Sequence, residues 1–427
     1  MIKEVKKCRI CGNDDLVPVI DLGKQALTGI FPREKNQSLT TGPLELVKCQ
    51  EGNDKSCGLL QLRHSYEANE LYGDHYGYRS SLNRSMVKHL EGIATKIVER
   101  TLIAPNDIIL DIGSNDSTLL QSYPRGMGKP VGMDPAGSKF KKYYPAHVGL
   151  ISDFFSAKSF RQHFGTKKAK VVTSVAMFYD LEAPMDFMAQ VYDILSDDGL
   201  WVFEQSYMPT MLKMTAYDTI CHEHFEYYAL KQLKWMAERV GFKIVDIEFN
   251  ATNGGSFQVT VAKKANAQFS EHKELVARIL KEEKDAGLYE LKPYKTFAEK
   301  VKTRRDELIY FVRQAKSQSK KIFGYGASTK GNVILQYCGF SGNDILCIGE
   351  VNEDKFGCFT PGTNIPIIPE AEAKKMAPDY FLVLPWHFKD NILSREKFYL
   401  ESGGALVFPL PAIEICSSAP QPKKQSV

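Results

Sequence analysis

The sequence predicts an α/β protein in which two stretches of alternating strand and helix follow a small N-terminal lobe held by cysteines. Three observations carry this. From about residue 72 to 262, short apolar runs alternate with helical patterns, the mark of a parallel sheet crossed by helices. A second alternation of the same kind begins near residue 320. The first 70 or so residues are loop-rich and carry four of the nine cysteines. The expected division is a lobe over 1–71, a central domain over 72–264, a C-terminal αβ domain with a helical lead-in over 265–416, and a disordered tail over 417–427.

Length and composition agree. A chain of 427 residues has room for two or three domains at roughly 150 residues each. Its 43% hydrophobic and 25% charged content is that of an ordinary globular protein. The formal charge of +4, from 55 basic and 51 acidic residues, predicts neither a nucleic-acid nor a membrane partner. No apolar run reaches the ~18 residues of a spanning helix, and the basic N-terminus lacks the apolar stretch of a secretory signal. An odd, scattered cysteine count then points to reduced thiols in a cytoplasm.

Taken in order, the lobe contains Cys8-x-x-Cys11, followed by Cys49 and Cys57. Zinc takes four soft ligands in a tetrahedron, and a tight turn with two intervening residues supplies a pair of them. The second pair is spread over seven residues (QEGNDKS), so four free cysteines remain an alternative. Metal at such a site would be structural, supplying the folding energy of a lobe with little core.

The segment DHYGYRSSLNRSMVKHL sets Tyr76, Tyr78, Arg79, Ser80, Ser81 and Asn83 just before a helix. This density of hydroxyl, amide and guanidinium groups suits a sugar or phosphate, although a helix-capping region has the same composition.

The central domain opens with the apolar strand Ile108-Leu110, then Asp111-Ile112-Gly113-Ser114-Asn115-Asp116 and the start of a helix. A glycine turn lets backbone approach a ligand, and the helix start offers free amides. The next strand, Pro130-Met133, ends in Asp134, placed to accept from two ribose hydroxyls of an adenosyl ligand. The three-glycine spacing of a pyrophosphate turn is missing. Gly113, Ser114 and Asn115 instead resemble the first motif of class I methyltransferases, whose ligand, S-adenosylmethionine, has no phosphate. The strand Val171-Val175 would then present Met177 beside the transferable methyl group.

After the strand Leu200-Glu204 comes the run Cys221-His222-Glu223-His224, with Tyr227 and Tyr228 close behind. Three adjacent titratable groups can supply a base and the partners that tune it, though a solvated polar turn reads the same. The two residues that separate Glu from the second His in a metalloprotease helix are absent, so no metal is expected here.

Amphipathic patterns at HKELVARILKEEKDAG and TFAEKVKTRRDELIYFVRQAK lead toward the last domain. There a strand, KKIFGYG, runs into Gly326, Ala327, Lys330 and Asn332, a turn able to cradle a diphosphate. Asn352 and Lys355 in EVNEDK are further nucleotide candidates. Trp386 after FLVLP is a stacking surface or a core residue. Alone, this turn would also suit a nicotinamide-dependent oxidoreductase. A zinc-ribbon methyltransferase of nucleic acid is the third class, disfavoured by the absence of a basic stripe.

Together the cysteine module, YGYRSSLNRSM, DIGSND, EQSYMP, CHEHFEYY, GYGASTKGN, FTPGTNIPI and LPWHF resemble, in order and across nearly the whole chain, the nucleotide-sugar C-methyltransferases acting on 4-keto-6-deoxyhexoses. The resemblance implies a zinc-binding lobe, a central class I methyltransferase domain of Rossmann-like fold, and a second Rossmann-like domain that holds the nucleotide sugar without a redox cofactor. It implies a base in the His-Glu-His run: His224 to take the proton from sugar C3, Glu223 and His222 as neighbours, Tyr179 and Tyr76 as donors to the oxyanion. The chain departs from many relatives at Ser117, Cys221 and Phe178-Tyr179. A monomer or weak homo-oligomer in the cytoplasm would suffice.

Overall fold

A computed structural model of the chain describes residues 2–52, 56–72 and 78–418. The chain gathers into two compact units, each built from separate pieces: Met1–Pro18, Leu46–Thr210 and His224–Leu291 in the first, Val19–Glu45, Met211–Glu223 and Lys292–Val427 in the second. The contiguous cuts expected from sequence differ from this grouping, because Val19–Glu45 and Met211–Glu223 go with the C-terminal part.

The first unit is organised by a seven-stranded sheet in the order Phe242–Asn250, Ser256–Lys263, Leu195–Ser206, Ala169–Val175, Ile108–Ile112, Lys129–Met133, Gly149–Ile151. Leu195–Ser206 through Gly149–Ile151 run parallel, and Ser256–Lys263 is antiparallel to both of its neighbours. All five residues of Ile108–Ile112 are buried, as a central parallel strand covered on both faces requires. One face packs on Met86, Leu90, Ile93, Ala94 and Ile97 of the helix Arg84–Arg100, whose three- and four-residue spacing makes a single apolar stripe. The other carries Trp201 stacked on Phe203 at 4.3 Å, with Phe178, Phe187 and Phe257. The helix Lys273–Asp285, expected to lead into the last domain, packs here. Val276 and Ile279 join this core, and Glu283 accepts from the Tyr207 hydroxyl at 2.8 Å and the Leu230 amide at 2.6 Å.

The lobe has more regular structure than its loop-rich composition implied. Leu16–Ala26 and Thr41–Cys49 are strands of 11 and 9 residues, and Leu60–Leu62 lies antiparallel to both Leu46–Lys48 and Glu226–Tyr227.

The second unit has a six-stranded sheet ordered Ile367–Pro369, Ile348–Glu350, Ile322–Tyr325, Tyr380–Val383, Ala405–Phe408, Glu414–Ser417, parallel except for the last strand. Ser417, assigned from sequence to the tail, pairs with Ala405; the tail from residue 419 lies outside the described residues. In both sheets strand order reverses at the first strand, which places Gly113 and Gly326 at a topological switch point, where open α/β sheets bind ligands. Among the described residues no helix is long and apolar enough to cross a membrane.

Candidate active site

Four cysteines meet in the lobe. The Sγ atoms of Cys8, Cys11, Cys49 and Cys57 lie within 4.8 Å of one another, with Cys8–Cys57 at 3.4 Å and Cys11–Cys49 at 3.6 Å. Zn–S bonds of about 2.3 Å in a tetrahedron require edges of about 3.8 Å, so the four sulfurs fit zinc with its shell closed. The turn is held by the Gly12 amide on the Cys8 carbonyl at 2.9 Å, and Asn13 Nδ2 donates to Cys49 Sγ at 3.4 Å. Next to Cys8, the buried Arg9 guanidinium donates to the Leu62 carbonyl at 2.5 Å and the Ser65 hydroxyl at 2.9 Å. It also faces Glu226 at 3.6 Å and lies over the Phe225 ring at 5.1 Å.

At the switch point of the first sheet, Gly113 has φ +74°, and a Cβ there would stand 3.2 Å from Met177 Cγ, so the turn and the end of the fourth strand are in contact. The Asn115 amide donates to Asp134 Oδ2 at 2.8 Å and the Ala136 amide to Oδ1 at 2.7 Å. Each oxygen keeps one lone pair, enough for a ribose diol. Ser114 Oγ shares a hydrogen bond with the Tyr144 hydroxyl at 2.8 Å. Asp111, Asp116 and Asp134 are all buried. Burial pushes the Asp111 carboxyl up to about 7, against the hydrogen bond it accepts from Thr173 at 2.6 Å. A turn ringed by three carboxyls repels a pyrophosphate and suits a sulfonium cation. The helix that follows is a single turn, Thr118–Gln121; Ser117 before it is left-handed at φ 64°, and its amide goes to the Ser114 carbonyl at 2.9 Å.

The hydroxyl-rich loop closes on this turn. The Ser80 amide donates to Asn115 Oδ1 at 3.1 Å, and the Ser81 amide to Asp116 Oδ2 at 3.0 Å. Arg79 lies over the Tyr143 ring at 4.9 Å, and Tyr78 is exposed. Asn83 is committed elsewhere: as N-cap of Arg84–Arg100 it accepts from the Ser85 amide at 3.0 Å. Tyr76 lies outside the described residues.

The His-Glu-His run divides by environment. His224 is half-buried, with Tyr179 edge-on at 4.4 Å between ring centroids, and the Phe225 amide donates to the Tyr179 carbonyl at 2.8 Å. Both belong to the first unit. His222 and Glu223 belong to the second. His222 is fully enclosed, its pKa lowered to about 4 by burial, with backbone hydrogen bonds to Gln25 and Gly42 and Thr28 Oγ1 3.5 Å from Nδ1. A neutral imidazole held this way is a strut. Glu223 accepts from Thr28 Oγ1 at 3.2 Å, and burial raises its pKa. A side chain at Gly29 would overlap its carboxylate.

Around the second glycine turn, Gly326 has φ +79° and a Cβ there would meet Pro385 at 2.9 Å. The amides of Val351 and Asn352 both go to Glu350 Oε1, at 2.6 and 2.9 Å, and that of Ala327 to Oε2 at 2.7 Å. Both lone pairs of Oε1 and one of Oε2 are thereby used, which leaves a single acceptor position, too few for the ribose diol of a nicotinamide dinucleotide. Lys355 Nζ donates to the Ala327 carbonyl at 2.7 Å, Asn352 accepts from the Asp354 amide at 3.1 Å, and Asn332 Nδ2 donates to the Thr28 carbonyl at 2.8 Å. Trp386 is buried with its indole N–H on Asp218 at 2.8 Å, which corrects its reading as a stacking surface. Lys330 is half-buried; burial lowers its pKa and Asp218 opposes that shift. Thr28, Asp218 and Glu350 were not singled out from sequence. Glu350 was legible as an acid at the end of the strand after a glycine turn, the signal already used for Asp134. Thr28 and Asp218 carry no such mark.

Comparison with known proteins agrees with this anatomy. Residues 8–72 match a family of zinc binding domains, residues 86–247 a methyltransferase domain, and residues 251–411 the family described as C-methyltransferase C-terminal domain. The chain is 31% identical over 422 residues to the C-methyltransferase NovU of Streptomyces niveus, with 98% of each chain covered. Among solved structures it is similar to the plantazolicin methyltransferase BpumL in complex with SAH, at 11% identity and TM-score 0.34 over 41% of this chain and 82% of that one. A methyltransferase bound to the Haloferax volcanii activator Trm112 is similar at 13% identity and TM-score 0.34, over 42% of this chain and 95% of the other.

Proposed function

We propose an acceptor for this chain, which belongs to the C-methyltransferase family and is an S-adenosylmethionine-dependent, zinc-binding enzyme: a nucleotide-linked 4-keto-6-deoxyhexose, methylated at C3. The observation that carries this reading is the pairing of His224 with Tyr179 in the unit that holds the cofactor turn. A C–H beside a ketone is removable because its electron pair moves onto the carbonyl oxygen, so the reaction needs a base and a donor to the resulting enolate. His224 takes the proton, and Tyr179 donates to the oxygen, with Tyr76 as a second donor. Glu223, next in sequence, orients the base or hydrogen-bonds the oxyanion. S-adenosylmethionine supplies the electrophilic methyl group. Asp134 holds its ribose, with Asp111, Gly113, Ser114, Asn115, Asp116 and Met177 forming the rest of its seat. Tyr78, Arg79, Ser80 and Ser81 flank the turn, while Gly326, Ala327 and Lys330 hold the nucleotide diphosphate, with Lys355 on the Ala327 carbonyl of that second turn.

The test is incubation with S-adenosylmethionine and a panel of dTDP-, GDP- and CDP-linked 4-keto-6-deoxyhexoses, read by mass. One member should gain a methylene unit; a panel that gains nothing contradicts the acceptor.

The Asp111 carboxyl adds a pH dependence. Its raised pKa means that the free protein favours the protonated form, and stability falls as pH rises from about 4 toward 7. A cationic ligand favours the ionised form instead. Affinity for S-adenosylmethionine should therefore climb by up to about tenfold per unit below pH 7 and level off above it. Calorimetry across pH 5.5 to 8.5, in the range about the Asp111 value, checks this, and Asp111→Asn should flatten the profile. A wild-type profile already flat would contradict it.

A further inference from the structure

The penultimate residue of the strand Leu195–Ser206 is a glutamine that no role above uses. Gln205 is 1% exposed, and among the described residues neither its Nε2 nor its Oε1 has a hydrogen-bond partner. A buried donor and a buried acceptor, both unmet, are costly, and an apolar side chain of similar length would avoid that cost. Such an amide is completed by an ordered water or by a ligand.

Its place in the sheet indicates which ligand. Gln205 pairs with Phe257 on one side, and its neighbour Glu204 pairs with Val175 on the other. The Ala176 amide donates to the Glu204 carbonyl at 2.7 Å, and the next residue, Met177, abuts Gly113. Gln205 thus stands at the C-terminal edge of the sheet, the ligand-binding edge of an α/β fold. Two strand spacings, about 10 Å, separate its strand from the one that carries the cofactor turn. Alternation along the strand puts Gln205 on the face of Trp201 and Phe203 and away from Glu204, whose carboxylate takes His89 at 2.7 Å and Asn250 at 2.8 Å. Phe203 packs against Phe178 at 5.3 Å, and the residue after Phe178 is Tyr179, which meets His224. The orphaned amide therefore lies one step beyond Phe203, on the side of the sheet that carries the proposed base and beyond the cofactor turn.

We propose that the Gln205 carboxamide binds the methyl acceptor, its N–H donating to a ring ketone oxygen and its carbonyl accepting from a neighbouring hydroxyl. A vicinal hydroxyketone offers that complementary pair, whereas a simple ketone satisfies only the N–H. The identity of the acceptor class rests on the function proposed above; the ligand-facing amide rests on burial and register alone.

Gln205→Leu, with Gln205→Met as an unbranched variant of matching length, separates the possibilities. Both should keep or raise the melting temperature of the free protein, because two unmet polar atoms are removed. Calorimetric affinity for S-adenosylmethionine should stay within about twofold, while KM for the acceptor methylated by the wild type rises by about tenfold. A lowered melting temperature in both variants, a matching loss of S-adenosylmethionine affinity, or an unchanged acceptor KM would overturn the assignment. A wild type inert toward every keto-sugar counts against the acceptor class only. The stability arm then decides Gln205: a raised or equal melting temperature sustains a ligand-facing amide, and a lowered one overturns it.

Discussion

Replacing His224 by Asn should lower turnover by about 10²- to 10⁴-fold, the contribution of a positioned base, while leaving S-adenosylmethionine affinity at the wild-type level. The expectation is specific because the groups that form the cofactor turn, from Asp111 to Asp134, are tied to one another and to Ser80, Ser81 and Thr173, and none of these hydrogen bonds passes through His224. Asn keeps a polar side chain of smaller size while removing the basic nitrogen and the ring contact with Tyr179. Its neighbours in sequence should respond differently. His222 is enclosed and already neutral, with its pKa at about 4, so His222→Asn should show itself in the melting temperature first. Single-turnover kinetics combined with calorimetry check both variants. A His224→Asn enzyme running near the wild-type rate would refute the assignment of the base.

Stripping zinc should have a comparably large effect on stability. Structural zinc contributes about 10–16 kcal/mol to the folding of small zinc-finger peptides, and the lobe around Cys8, Cys11, Cys49 and Cys57 is arranged in the same closed fashion. Cys49→Ser should purify with little or no zinc and lose amide-exchange protection through Leu46–Lys48 and Leu60–Leu62, the strands that meet beside the cluster. The effect should spread further. Arg9 follows Cys8 directly and gathers the Leu62 carbonyl, Ser65, Glu226 and the Phe225 ring, next to His224 in the chain. Loss of the metal should accordingly lower methyl transfer as well as stability. Cys416, half-exposed and outside the cluster, is the control: Cys416→Ser should retain zinc and melt as the wild type does. Metal analysis and thermal melts decide the matter, and a zinc-free protein of unchanged melting temperature would contradict a structural role.

Much of this was legible in the residues. Strands such as Ile108–Ile112 and Ala169–Val175 carry short apolar runs and are buried almost throughout, because a parallel strand is covered on both faces. Gly113 and Asp134 stood out because a left-handed turn and a strand-end acid leave a recognisable pair in sequence. Phe242–Asn250 was hidden, since an edge strand of alternating charge (KIVDIEF) lacks such a run, and Gly149–Ile151 is only three residues long. Side-chain commitments were hidden too. Asn83, Asn352 and Trp386 have the composition of ligand contacts, yet each is spent on a cap or an internal partner that only the fold brings near. Thr28 and Asp218 sit in stretches distant in sequence from Asn332 and Trp386, the residues they meet, and no local pattern announces such a pairing.

A 4-ketone acidifies both of its neighbouring carbons, so the most direct measurement is exchange of the sugar ring protons in D2O with enzyme present and no methyl donor. Deuterium should enter at C3 in the presence of wild-type enzyme, and His224→Asn should abolish that exchange. Exchange at C5 alone, no exchange at either carbon from an enzyme that still transfers methyl, or undiminished exchange in His224→Asn would contradict removal of the C3 proton by His224.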